Sequence, residues 1–244
     1  KIFDNNSRRN LKKFSNIKKK FDFIKGDIRN KKQVNNAFKN VDAVVHLAYV
    51  NGTKFFYKQP IKILDIAVKG IINVIECCIK NNIKELYLAS SSEVYQTPLK
   101  IPTDENEMLK IPDIYNPRFS YGGGKILTEL MGIHYGKKYF KKLIIFRPHN
   151  VYGPDMGNEH VVPEFIKRFK RIKNKKFKIQ GSGNEIRSFI FIDDFVKAFE
   201  LILRKGKHLQ IYNIGTSEKI TIKNLAKNIA KLLKIKISIQ RTKL

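Results

Sequence analysis

Short runs of apolar residues alternate along this chain with stretches whose apolar residues recur every three or four positions. That alternation narrows the fold more than any other feature. Strand-like runs cover 21–24, 41–50, 83–89, 142–146, 189–192 and 211–214. Helical spacing covers 30–40, 61–79, 120–140, 161–172, 195–203 and 222–233, and the stretch 61–79 stops at the turn-forming pair Asn81-Asn82. Strands apolar on both faces and linked by helices predict a parallel sheet covered on both sides. This is the doubly wound α/β class, whose ligands lie beyond the carboxyl ends of the strands. With 244 residues, 42% of them hydrophobic, the chain can bury the core of one domain or one and a half. The irregular stretches 96–118 and 150–159 exceed ordinary connections and are read as functional loops.

Lysine and arginine number 49 against 21 aspartates and glutamates, a formal net charge of +28. The excess is spread along the chain and is dense only at Lys18 to Lys20 and from Lys167 to Lys178. It is read as a solvated basic face that steers anionic ligands, with polyanion binding as the alternative. Nucleic acid is not the expected partner. The two cysteines, Cys77 and Cys78, are adjacent in an apolar helical stretch. That suits neither a disulfide framework nor a metal site and points to a reducing, cytoplasmic setting. No apolar run approaches the about 18 residues that span a bilayer, and no charged-then-apolar leader opens the sequence, so no membrane partner is expected. The sequence opens on Lys1 rather than Met and is expected to start inside a longer polypeptide.

The chemistry-bearing constellation has two parts. Ala89-Ser90-Ser91-Ser92-Glu93-Val94-Tyr95 stands at the carboxyl end of a predicted strand, and Tyr121-Gly-Gly-Gly-Lys125 opens a predicted helix. Tyr121 and Lys125 are spaced to share one helix face. A lysine ammonium beside a phenol favours the phenolate and is expected to bring the tyrosine pKa down from about 10 towards neutrality. Such a tyrosine can take the proton from a sugar hydroxyl whose carbon gives up a hydride, and a serine hydroxyl at the strand end can bind the same oxygen. His46, ending an apolar strand, and His149 are read as packed or hydrogen-bonded. The isolated His134, His160 and His208 do not make a metal site.

These residues resemble the extended short-chain dehydrogenase/reductase family, the nucleotide-sugar epimerases and dehydratases. The resemblance runs through Gly26-Asp27-Ile28-Arg29, His46-Leu47-Ala48, Ser91 to Tyr95, Tyr121 with Lys125, and Arg147-Pro148-His149-Asn150-Val151-Tyr152-Gly153-Pro154. It continues through Gly181-Ser182-Gly183 and Arg187 before Phe189-Ile190-Phe191-Ile192-Asp193-Asp194. It implies a Rossmann-like, N-terminally truncated NAD(P)-binding domain over 1–154. Residues 155–244 would form a smaller substrate-binding lobe, interleaved with the sheet and incomplete at its C-terminus.

By the same resemblance Tyr121 is the base, Lys125 its partner and a ribose ligand, and Ser91 the hydroxyl on the reacting sugar oxygen. Asp4 would end a strand and hold the adenosine ribose, which favours NAD. Ser7, Arg8 and Arg9 follow closely and leave NADP as the alternative. Asp27 would contact the adenine amino group with Ile28 beside the ring, and Leu47 and Ala48 would line the cofactor. Asn150 would position backbone or substrate, and Arg187 would clamp the substrate pyrophosphate. A homodimer through the helices 61–79 and 120–140 is implied as well.

The chain departs from that pattern in three places. The Gly-x-x-Gly-x-x-Gly turn that cradles a cofactor pyrophosphate does not occur here. Ala67 stands where Asn is common, and Gly124 where Ala or Ser usually precedes the lysine. Three successive helical glycines are costly and are read as allowing cofactor or substrate close to the backbone. Ser91-Ser92-Glu93 resembles the Thr-Ser-Glu of GDP-mannose dehydratase and UDP-glucuronate decarboxylase. This makes Glu93 a candidate base and Ser92 a weak acid or substrate positioner. The expected activity is therefore a nucleotide-sugar 4,6-dehydratase or decarboxylase working through a transient 4-keto sugar. A 4- or 2-epimerase is the alternative, and a catalytically silent nucleotide- or RNA-binding relative is the reading from another class.

Overall fold

The helical stretches close where local chemistry closes them. Asn30 caps helix α1 (Lys31–Ala37), its side chain accepting from the Gln33 amide at 3.2 Å. Helix α3 (Pro60–Lys80) begins on a proline, which has no amide hydrogen to waste, and a short helix α2 (Thr53–Lys58) precedes it. It ends at Asn81, with Asn82 in the left-handed region at φ 57°. Helix α4 (Ser120–Tyr139) carries the Tyr-x-x-x-Lys spacing in its first turns. The computed structural model describes residues 1–7, 20–172 and 176–242. Arg8, Arg9, Lys18, Lys19 and residues 173–175 of the second basic run lie outside the described residues.

Strands β3 (Ala43–His46), β4 (Glu85–Ala89), β5 (Lys142–Pro148) and β10 (Ile211–Ile214) form one sheet in the order β10-β5-β4-β3. The β3–β4 and β4–β5 pairs are parallel, with Val44 opposite Leu86 and Leu86 opposite Leu143. Strands β1 (Ile2–Asp4) and β2 (Phe23–Lys25) form a separate parallel pair. Beside the sheet, Ile71, Val74, Ile75, Cys77 and Cys78 of α3 share a core with Leu86, Leu88, Leu143 and Ile145. Both cysteines are buried and unpaired.

The chain divides into two compact units, Lys1–Pro148 with Glu200–Asn213, and His149–Phe199 with Ile214–Leu244. The second holds β6 (Val151–Tyr152), α5 (Val161–Phe169), β7 (Lys176–Gln180), β8 (Ile186–Arg187), β9 (Ile190–Phe191), β11 (Ile220–Thr221), α7 (Ile222–Leu232) and β12 (Ser238–Thr242). Helix α6 (Ile192–Lys205) straddles the division. Phe165, Phe169, Phe177, Ile179, Ala226 and Ile229 pack together as this unit's own core.

Two differences from the sequence reading have plain causes. The apolar run 41–50 is a strand only over Ala43–His46, and the chain then leaves the sheet before Gly52, whose φ is 123°. The basic run 167–178 hides β7, where exposed Lys176 and Lys178 alternate with buried Phe177 and Ile179.

Candidate active site

Strand β4 delivers Ala89, Ser90 and Ser91 to the carboxyl end of the sheet, and the chain then turns through a single 3-10 turn, Ser92–Val94. The Ser91 hydroxyl oxygen caps that turn by accepting from the Glu93 amide at 3.2 Å. The start of α4 lies against this turn, so that a Cβ added to Gly122 would stand 3.1 Å from the Glu93 carbonyl oxygen. Ser91, Glu93, Tyr121 and Lys125 are thereby brought together. Ser91, Tyr121 and Lys125 are buried, and Glu93 and Ser92 are partly buried. The Glu93 carboxylate faces the Arg118 guanidinium at 3.8 Å.

The electrostatics differ from the sequence expectation. Burial pushes the Tyr121 phenol up to about 12; its hydrogen bond with Ser91 works the other way, and the Glu93 charge adds to the rise. Lys125 does not bring it down. Burial lowers the Lys125 amine itself to about 7 against the pull of Glu129. Its Nζ donates to the Ala89 carbonyl at 2.7 Å and stands 5.7 Å from the centre of the Tyr121 ring. His46 is fully enclosed, and burial together with the Lys125 charge holds it down at about 3.

Beneath the serine turn runs a polar network that sequence reasoning missed. Arg147, which follows the apolar run 143–146 of β5, donates from Nε at 2.9 Å and from Nη2 at 2.6 Å to the two carboxylate oxygens of Glu129. Both side chains are at most 5% exposed. Ser90 donates to the same carboxylate, and Arg147 also reaches the Tyr95 hydroxyl at 2.6 Å. Tyr95 donates in turn to Asn213 at 2.9 Å. One signal could have found it: an arginine ending a run of four apolar residues must have a buried partner.

A cleft of about 690 Å³ opens between the β1–β2 pair and β3. Asp4, Asp27, Ile28, Leu47, Ala48 and Tyr49 all line it. Asp4 is exposed at the end of β1, and its carboxylate accepts from the Asn6 amide at 2.5 Å. The Asp27 carboxylate is held by Arg29, whose Nη2 lies 2.7 Å away and whose side-chain hydrogen bonds keep the aspartate below the usual carboxylate range. Ile28 is buried under Gly70, and Leu47 is exposed. An exposed carboxylate beside an apolar shelf fits the adenosine half of a dinucleotide. Tyr121 and Lys125 do not line this cleft, and Tyr49, which does, packs on them from that side.

Asn150 and Arg187 belong to the second unit. Asn150 has φ 40° and donates to the Ser188 carbonyl at 2.8 Å, and Arg187 on β8 donates to the Ile186 carbonyl at 2.8 Å. Among the described residues no group of three His, Cys, Asp or Glu could hold a metal ion.

The successive glycines also differ from expectation. A Cβ on Gly124 would stand 2.1 Å from the Tyr49 hydroxyl and 2.7 Å from the Ala67 Cβ, while one on Gly123 would meet only Ile111, at 3.3 Å. The close approach at Gly124 is made by the protein's own side chains.

Residues 3–215 match the profile of the NAD dependent epimerase/dehydratase family. A dTDP-D-glucose 4,6-dehydratase of Dictyostelium discoideum is 34% identical over 216 residues, covering 86% of this chain and 49% of the relative. The human dTDP-D-glucose 4,6-dehydratase is 31% identical over 230 residues, covering 93% of this chain and 63% of the relative. The chain thus spans about half to under two thirds of the length of these curated relatives. In fold it is similar to the UDP-glucose 4-epimerase of Thermotoga maritima solved with UDP-glucose, with a TM-score of 0.86 and 24% identity over 99% of this chain and 76% of that one.

Proposed function

Because the chain belongs to the NAD dependent epimerase/dehydratase family, we propose that it belongs to an enzyme that reworks the sugar of a nucleotide-sugar through a transient 4-keto sugar, as a 4,6-dehydratase. The observation that carries this reading is the convergence of Ser91, Tyr121, Lys125 and Glu93 at the carboxyl end of β4. The names of the two dehydratase relatives support the choice of reaction.

Tyr121 Oη takes the proton from the sugar C4 hydroxyl, whose oxygen the Ser91 hydroxyl also binds. A bound NAD would supply the acceptor for the C4 hydride and, once water has left, the hydride that C6 receives, while a proton returns to C5. Lys125 as its ammonium stabilises the phenolate at Tyr121 and would hold a cofactor ribose hydroxyl. Asp4 would hold the adenosine ribose, with Asp27 and Ile28 near the adenine and Leu47 and Ala48 along the cleft; a carboxylate at that ribose favours NAD over NADP. Glu93 removes the C5 proton that the 4-ketone has acidified, and Ser92 helps the C6 hydroxyl leave as water. By the sequence resemblance alone, Asn150 would position backbone or substrate and Arg187 would pair with a substrate pyrophosphate.

The Glu93→Gln variant tests the assignment. Elimination should stop while the absorbance of reduced cofactor still forms; elimination at the wild-type rate would overturn the role of Glu93. One observation favours a second reading. Arg118, 3.8 Å from Glu93, competes for the carboxylate, and a Glu93 held there would leave a 4-epimerase.

The apolar side chains exposed on α3 and α4, among them Ile61, Leu64, Val68 and Leu130, support a homodimer formed through these helices. The unpaired cysteines suit the cytoplasm.

A further inference from the structure

Tyr49 follows β3 and carries no motif. Among the described residues its Oη is a buried side-chain oxygen with no hydrogen-bond partner. Burying an unpaired hydroxyl is unfavourable, so the ring must be held in place by its packing. Tyr49 meets the Tyr121 ring at a right angle, with centroids 5.1 Å apart, in a cluster that includes Phe56 and Ile63. The Lys125 Nζ stands 4.0 Å from the centre of the Tyr49 ring, closer than to the ring of Tyr121. The phenol end fits a seat between α3 and α4 that any side chain at Gly124 would close and that the small Ala67 bounds. Gly124 and Ala67 are the two positions in these helices at which the sequence departs from the pattern it resembles. The departure at Gly124 makes room for the phenol end of this ring, with the Ala67 Cβ close by.

We propose that Tyr49 is a positioning residue for the Tyr121–Lys125 pair: its ring face holds the lysine ammonium and its packing fixes the Tyr121 ring, in a seat left open by Gly124. A cation over an aromatic face in a desolvated site is attracted by the ring quadrupole. The amine then has two fixed partners, the Ala89 carbonyl and the Tyr49 ring. That the pair is catalytic rests on the function proposed above; the placement of Lys125 does not.

The test is carbon-13 NMR of the full-length protein labelled at lysine, without cofactor, with Lys125 assigned by its loss in Lys125→Met. The ring current of Tyr49 should move the Lys125 methylene protons upfield of the other lysines. Tyr49→Phe keeps the ring and should keep the shift. Tyr49→Leu removes the ring, Gly124→Ala pushes it off its seat, and both should return the signal to the common envelope. In turnover, Tyr49→Leu should lower kcat about tenfold with a smaller change in KM, and Tyr49→Phe should recover most of the loss. An unshifted wild-type signal overturns the proposal, as does a shift lost in Tyr49→Phe or unmoved in Gly124→Ala. The NMR result decides even where no substrate turns over, and Gly124→Ala decides if Tyr49→Leu does not fold.

Discussion

Lys125 and Glu129, one helical turn apart on α4, are buried charges with opposite consequences. The Lys125 amine ordinarily titrates near 10.5 and is held at about 7 in the folded chain. Between these values the unfolded chain binds the proton that the folded one has released, so stability rises with pH across that window. The contribution is fully present above about 10.5 and is lost as pH falls through about 7, with an upper bound of roughly 5 kcal/mol. Denaturant midpoints measured from about pH 7 to about pH 10 should therefore climb in the wild type and flatten in Lys125→Met. Tyr121 closes the window from above, because its phenol, pushed up to about 12, disfavours folding once the unfolded phenol ionises near 10. Glu129 instead pairs with Arg147, and Glu129→Gln leaves a buried guanidinium uncompensated at a cost of roughly 3–5 kcal/mol. Adding Arg147→Met should return part of that cost in a double-mutant cycle by chemical denaturation. The spacing of Tyr121 and Lys125 was legible in the sequence. Their protonation was not, because it depends on how completely Tyr49 and Phe56 enclose them.

Helix α4 uses its glycines in two ways. A Cβ at Gly132 would stand 2.6 Å from the Leu88 Cδ1, a fully buried atom of β4 with nowhere to move. At Gly123 it meets only Ile111, which is 47% exposed and free to give way. Gly132→Ala should destabilise by roughly 1–3 kcal/mol. Gly123→Ala should gain up to roughly 1 kcal/mol of helix propensity. Thermal melts of the two variants against wild type check both signs. The long elements α3 and α4 were readable because their apolar residues repeat over several turns. Strand β7 was not read, although its period of two is plain once the lysines are set aside, and two-residue strands such as β8 and β11 are too short to carry a period. Tyr49 escaped notice because an aromatic after an apolar strand reads as core. Only Gly124 and Ala67 pointed to it.

For the molecule as a whole, the net charge of +28 would favour encounter with the doubly charged nucleotide-sugar proposed as substrate and would make that encounter salt-sensitive. Replacing Leu64 and Leu130, both exposed apolar residues of α3 and α4, by glutamate should convert the proposed dimer to a monomer in light scattering without loss of secondary structure. The central proposal is that a nucleotide-sugar is oxidised at C4 by bound NAD, with Ser91, Tyr121 and Lys125 handling the hydroxyl and its proton. The most direct measurement is the mass of the product after the full-length protein is incubated with NAD and dTDP-glucose, and in parallel with a panel of UDP-, GDP- and CDP-sugars. The account predicts loss of one water from at least one of these sugars in the wild type and none in Tyr121→Phe. Recovery of every sugar unchanged in mass and configuration, by a protein that retains no cofactor, would contradict it and leave the fold as a binding module.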